Sequence, residues 1–174
     1  MKRNVLVFGL IAGLIVSAFM IYSSTRCYNN ANFKSSEVVG YAGMLIAFSF
    51  IFVGIKNYRD KYNSGVISFG KAFMTGLYIT LIASTLYVGI WLVEYYLFMP
   101  DFMDKYCSHM LTEAQAKHAT QAALDKTVAQ MNTYKELYKS PVMVILLTYM
   151  EILPIGLAIA LISALLLKRK AKVA

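Results

Sequence analysis

The 174-residue chain is short of charge: Asp, Glu, Lys and Arg together make up 15%, against 59% apolar residues and a mean hydropathy of +0.57. So little charge excludes a disordered segment, and it is well below the roughly 25% that a soluble domain carries. With two cysteines there is no framework of the kind that staples small secreted scaffolds. A collagen-like glycine period is missing. No nucleotide-cradling Gly-rich loop, dinucleotide fingerprint, metalloprotease helix or nucleophile elbow occurs, so no motif nominates an enzyme. The composition is that of an integral membrane protein.

What the chain does have is four apolar runs, at about residues 5–22, 38–55, 72–99 and 142–167. A helix needs about 20 mainly apolar residues to cross a bilayer, because lipid offers the backbone no hydrogen bonds. The runs occupy more than half the chain, which predicts a single all-α polytopic unit over 1–174. Four transmembrane helices are expected, with a helical extracytoplasmic excursion over 100–140 between the third and fourth. The first run follows Met1-Lys2-Arg3 and reads as a retained helix. Ser23-Ser24-Thr25-Arg26-Cys27 offers neither a small-x-small cleavage site nor a convincing lipid-attachment box.

The net charge of +8 is unevenly placed. Lys2, Arg3, Lys56, Arg59, Lys61, Lys71, Lys168, Arg169, Lys170 and Lys172 fall on one side of the expected bundle. Arg26 and Lys34 fall on the other, followed by five lysines balanced by five acids between Pro100 and Ser140. Positive flanks stay cytoplasmic, which predicts a multi-pass inner-membrane protein with both termini in the cytoplasm. Basic residues in clusters at helix ends read as topology signals and contacts to anionic headgroups, with the bilayer as partner and no nucleic acid. Tyr22, Tyr28, Tyr41, Tyr95, Tyr96 and Tyr106 are expected as anchors at the outer interface, Tyr58 and Tyr62 at the inner one.

Lys56 to Lys71 reads as a basic loop along the headgroups, turned at Asn63-Ser64-Gly65, with Ser68 opening the third helix. Lys56, Arg59, Lys61 and Lys71 are its candidate phosphate or substrate contacts. The connection after Met99 is too long to lack structure of its own. Thr112-Glu113-Ala114-Gln115 has the form of a capping box and is followed to Lys139 by good helix formers, with Leu124, Val128, Met131 and Tyr138 on one stripe. Ser140-Pro141 then suits an N-cap and first position of the fourth span.

Glu94 and Glu151 are the main departures from a plain apolar bundle. An acid within a span is costly and faces a partner or a cavity. Glu151 lies about 14 Å into the fourth span, near the midplane, whereas Glu94 lies about 8 Å from the end of the third, close enough to reach water. Pro154 cannot donate to the carbonyl of Met150, which loosens the turn beside Glu151. Each acid has two readings. One is a protonated carboxyl holding neighbouring helices together. The other is a proton-titrating or cation-contacting group, with Thr80, Ser84, Thr85 and Thr148 as a polar path.

Gly9, Gly13 and Ser17, and likewise Gly156, Ala160 and Ala164, recur at four-residue spacing and allow close helix approach, within one chain or between copies. Cys27 and Cys107 fall on the same side and are candidates for a disulfide. Cys107, His109 and His118 lack a second paired half, so no metal or other cofactor is expected.

Several stretches together resemble the bacterial membrane family catalogued as domain of unknown function 4199, frequent in Bacteroidetes. They are Gly40-Tyr41-Ala42-Gly43-Met44, the run from Phe52 to Lys61, the run from Ile67 to Phe73, the run from Phe98 to Met103, and Glu151-Ile152-Leu153-Pro154. The resemblance covers nearly the whole chain. It implies a four-helix inner-membrane protein with the long third connection outside, and it brings no activity or catalytic residues. The functional expectation is a non-enzymatic role as a small membrane scaffold or accessory subunit, whose partner is a second copy of the chain or another membrane protein. The alternative is a component of a small-solute or ion transporter or channel using the intramembrane Glu residues. A cavity running from Glu151 to a surface favours transport; a dry bundle with satisfied carboxyls favours the scaffold.

Overall fold

Each apolar run forms a helix. The computed structural model describes residues 1–30 and 37–169; Lys34, Lys170 and Lys172 lie outside them. Six α-helices follow in order: α1 (Lys2–Tyr28), α2 (Glu37–Tyr62), α3 (Phe69–Val93), α4 (Phe102–Ala116), α5 (Gln121–Tyr138) and α6 (Pro141–Leu167). Glu94–Phe98 extends α3 as a π-helical turn. Among the described residues there is no strand.

Four of these, α1, α2, α6 and α3 with its extension, are long and apolar enough to cross a membrane. Between 33% and 39% of each apolar window is buried inside. The remainder points outward through side chains such as Leu14, Leu45, Leu146 and Leu166. A water-soluble bundle turns polar faces outward; an apolar exterior around an apolar core is what lipid solvation requires.

α2 and α3 each pack on both α1 and α6 and also touch one another, so α1 and α6 occupy opposite corners of the bundle. Close approach depends on the small-residue stripes, and it occurs within the chain. Gly9 lies against Ile82, and Gly13 against Ala83 and Leu86, which joins α1 to α3. A Cβ on Gly76 would stand 2.9 Å from that of Ala160, and one on Gly156 would collide with Thr80 Cγ2. The missing side chains therefore set the spacing of α3 and α6. Phe48, Ile51, Ile55, Ile79 and Ile152 fill the core between them.

The expected basic loop is mostly helix. α2 runs through Lys56, Arg59 and Lys61 to Tyr62, because nothing before Asn63 breaks it. Ser64 (φ 53°) and Gly65 (φ 75°) then take left-handed conformations, and the Gly65 amide returns to the Arg59 carbonyl at 2.9 Å. Ser68 caps α3 by accepting from the Lys71 amide, as expected. The loop is tied to the far end of the chain: Ile67 and Arg169 exchange backbone hydrogen bonds of 3.0 and 2.8 Å. The Arg59 guanidinium pairs with Asp60 at 2.6 Å and donates to the Leu167 carbonyl at the end of α6 at 3.3 Å. Lys71 Nζ donates to Asn63 Oδ1 at 2.8 Å and lies over the Tyr58 ring. Arg59 and Lys71 thus have structural partners, while Lys56 and Lys61 are exposed. Tyr58 is buried in the core rather than an interface anchor.

The connection between α3 and α6 is helical, but it divides elsewhere than the capping-box pattern suggests. Thr112 is inside α4 and its hydroxyl donates to the Ser108 carbonyl at 2.9 Å. The break falls at His118, which has φ 53°. Thr120 caps α5, its side chain accepting from the Ala123 amide at 3.4 Å. A threonine hydroxyl can bond back within a helix as readily as it can cap one, so the pattern alone does not select the start. On α5 the inward stripe includes Met131, Tyr134 and Tyr138, while Val128 is exposed. Ser140 and Pro141 open α6, as expected, although the Ser140 side chain makes no cap bond.

Candidate functional site

α4 is pinned across one end of the bundle. At the end of α1, the Tyr28 hydroxyl donates to Asp101, the residue that precedes α4. Lys105 pairs with Asp101 at 3.2 Å and lies 3.7 Å from the centre of the Tyr28 ring. The Tyr28 hydrogen bond holds the Asp101 carboxyl below its ordinary value, with Lys105 adding to the effect. α5 is held to α4 by Lys135 and Asp104 at 2.7 Å, and this hydrogen bond raises Lys135 above the usual lysine value.

Beneath α4, between the opposite corners α1 and α6, lies a cavity of about 770 Å³. Met20 and Ser24 of α1, Met44 of α2, Tyr87 of α3 and Glu151 of α6 line it, with Phe102, Tyr106 and His109 of α4 above. A second chamber of about 450 Å³ shares Met20, Tyr87, Phe102, Tyr106 and Glu151 with the first. It continues past Trp91 and Thr148 to Tyr134 and Tyr138 of α5. Glu151 therefore stands where the two chambers join. Its side chain is exposed to this space, and none of the described residues donates a hydrogen bond to it.

Glu151 is the one acidic or basic side chain lining the second chamber among the described residues. In the first chamber, Glu113 and Lys117 pair at 2.7 Å near the rim. Aromatic rings make up much of the second chamber's wall, with Met20, Met103, Leu147 and Thr148 between them. Trp91 meets Phe102 edge-on with centroids 5.3 Å apart, Phe102 stacks with Tyr106 at 6.4 Å, and Tyr138 packs against Tyr95, which is outside the lining, at 5.6 Å. Burial pushes the Tyr138 phenol up to about 12, and the charge of Glu151 acts in the same direction. Pro154 is exposed on α6, and the helix continues through it without a break one turn beyond Glu151.

Glu94 is not at the water's edge. It is 6% exposed, and Oε1 accepts from Ser24 Oγ at 2.8 Å and Thr25 Oγ1 at 3.3 Å. The reason is the extension of α1 to Tyr28, which brings these two hydroxyls alongside the π turn. Oε2 is buried with no hydrogen-bond partner among the described residues. Ser24 also lines the first chamber, so Glu94 is linked to its α1 wall through this hydroxyl, while Glu151 lines the chamber itself.

The remaining polar candidates divide. Thr148 lines the second chamber while donating to the Val144 carbonyl at 2.7 Å. Thr80 belongs to the close-packed contact, donating to Gly76 and Gly156 carbonyls at 3.0 and 3.3 Å. Ser84 is buried away from the cavity lining, and Thr85 bonds Tyr149 at 2.8 Å on an exposed face. The candidate disulfide is not made: Cys27 and Cys107 are both buried thiols, and Cys107 Sγ points to the Met131 carbonyl at 3.8 Å. Burial pushes the Cys107 thiol above its usual value. Among the described residues no group of three His, Cys, Asp or Glu is placed to hold a metal ion.

The aromatic wall was missed by the sequence reading, which placed Tyr106, and the buried Tyr95 packed on Tyr138, at the membrane interface and passed over Tyr87, Trp91, Phe102 and Tyr134. A signal was present. Tyr87-Trp91-Tyr95, Phe102-Tyr106 and Tyr134-Tyr138 are all spaced by four residues, which puts each set on one helix face.

The sequence model of the family described as Protein of unknown function (DUF4199) matches residues 7–169, and the chain belongs to that family. No curated protein and no solved structure is significantly similar to it.

Proposed function

We propose, from membership of this family and the four apolar helices, that the protein is a multi-pass protein of the bacterial inner membrane that binds a small solute or ion beside Glu151. The role is one of binding and transport rather than catalysis. The observation that carries it is the cavity itself: an intramembrane carboxyl with no donor among the described residues faces an open space, where a bundle-holding acid faces a partner. Both termini lie in the cytoplasm in this reading. Its support is the gathering of Lys56, Arg59, Lys61, Lys71 and Arg169 at one end, against balanced lysines and acids on α4 and α5 at the other. The α4–α5 excursion then covers the periplasmic mouth.

The test is a thermal-shift panel of small neutral, cationic and anionic solutes on protein in neutral detergent, with mass spectrometry of anything that co-purifies. At least one class raises the melting temperature, and Leu147→Trp, which fills the second chamber, abolishes the rise. If no solute shifts melting and nothing small co-purifies, the binding reading falls.

A scaffold or accessory-subunit role is the second reading. It is favoured by a groove of about 620 Å³ on α3 around Thr85 and Gly89, where a Cβ on Gly89 would meet nothing within 4 Å. Native mass spectrometry showing a stable homo-oligomer or a stoichiometric membrane partner would support it.

A further inference from the structure

We infer that the second chamber recognises an ammonium group, that of a free organic amine or of a lipid headgroup, through the Glu151 carboxylate and the aromatic wall around it. This rests on the binding reading above and names its ligand chemistry.

Three observations lead there. The first is charge: Glu151 is the single acid or base on the wall of a chamber of about 450 Å³, among the described residues, so a cation entering it meets one negative group and no positive one. The second is the wall. Tyr87, Trp91, Phe102, Tyr106, Tyr134 and Tyr138 converge on this space from α3, α4 and α5. Aromatic faces attract ammonium groups electrostatically, and cages of such rings bind them without a full set of hydrogen bonds. A compact metal ion would need several oxygen ligands, whereas a wall of rings with one carboxylate suits a large, weakly hydrated cation. The third is the rim: Lys117 is neutralised by Glu113 at 2.7 Å, so the basic side chain at the entrance to the adjoining chamber is already paired.

Glu94 does not compete for this role. Its Oε1 is occupied by Ser24 and Thr25, and it does not line either chamber. The chamber also holds its own reporter, since Trp91 is the chain's one tryptophan.

The experiment is a titration of Trp91 emission with benzyltrimethylammonium, benzyl alcohol and phenylacetate, on wild-type protein in maltoside micelles free of ammonium lipids. The expected result is a saturable change with the cation, at least about tenfold tighter than with the neutral or anionic compound, and a loss of about tenfold or more in Glu151→Gln. Glu151→Asp retains cation binding. The wild-type comparison of the three probes decides the matter even if Glu151→Gln fails to fold. Adding phosphatidylcholine then separates the sources: competition with the probe identifies a headgroup ligand, and its absence identifies a free amine. Equal binding of all three probes, or undiminished cation binding by a folded Glu151→Gln protein, overturns the ammonium assignment while leaving a ligand-binding cavity. Failure of every probe, together with a flat thermal-shift panel, overturns both.

Discussion

The region around Gly76 and Gly156 and the region around Glu94 and Glu151 are built from the same long apolar helices, yet their side chains solve opposite problems. In the first, small residues let α3 meet α6 so closely that a methyl group at Gly76 or Gly156 meets another side chain. Thr80 Oγ1 is there satisfied by the backbone carbonyls of Gly76 and Gly156. In the second, large aromatic and methionine side chains hold the helices around a cavity, and two carboxyls keep hydrogen-bonding capacity that none of the described residues fills. In lipid, where burial of apolar surface no longer drives helices together, tight packing supplies stability. A loose region with a buried acid is maintained at some cost, which makes it the place to look for function.

Substitutions at glycines break this comparison most sharply. Gly156→Val forces two methyl groups into the Thr80 contact and costs about 3 kcal/mol of bundle stability, read by reversible unfolding in mixed micelles. Gly89→Ala has room for its Cβ and gains about 0.5–1 kcal/mol from helix propensity. Equal costs at the two sites would show that close packing is not what holds α3 and α6 together. The next effect is at the basic end: Arg59→Met removes the donor to the Leu167 carbonyl and costs about 1 kcal/mol. Glu94→Gln acts with the opposite sign. It keeps an acceptor for Ser24 and Thr25 and removes an ionisable group from a buried site, raising stability by about 1 kcal/mol. If Glu94→Gln instead unfolds the bundle, the acid is a helix-joining element and the contrast between the two regions is lost.

The tightly packed region was the legible one. Apolar length gave the four helices, and the spacing of Gly9, Gly13 and Ser17 and of Gly156, Ala160 and Ala164 marked the faces that meet, because both are local properties of one helix. The cavity depends on which helices are diagonal neighbours and on where α4 is pinned, and neither Tyr28 nor Asp101 announces its contact with the other. Glu151 was recognisable as costly, but whether it met a partner or a void is a property of α3, α4 and α5 together. Glu94 was misplaced for a related reason: counting residues from the end of α3 gives depth in that helix, but not the extension of α1 that buries it. The same limitation misread Thr112, whose hydroxyl had a partner inside α4 as good as any cap.

The smallest effect concerns how firmly the cover sits on the loose region. Its ionic attachments are Tyr28–Asp101–Lys105 to α1 and Lys135–Asp104 between α4 and α5. The Asp101 carboxyl is lowered by its hydrogen bond, so its contribution is present above the ordinary aspartate value and disappears as pH falls through the lowered one. Lys135 is raised, so its contribution is complete below the ordinary lysine value and is lost as pH rises through the raised one. The cover is therefore held best between the acid and alkaline limits. Lys135→Met at neutral pH costs under about 1 kcal/mol, as an exposed pair does, and speeds amide hydrogen exchange in α5 by less than about fivefold. Exchange in the α3–α6 contact around Gly76 and Gly156 stays unchanged, because that contact shares no ion pair with the cover. Parallel acceleration in both places would mean that cover and core open as one unit, and that the cavity is reached only by loosening the whole bundle.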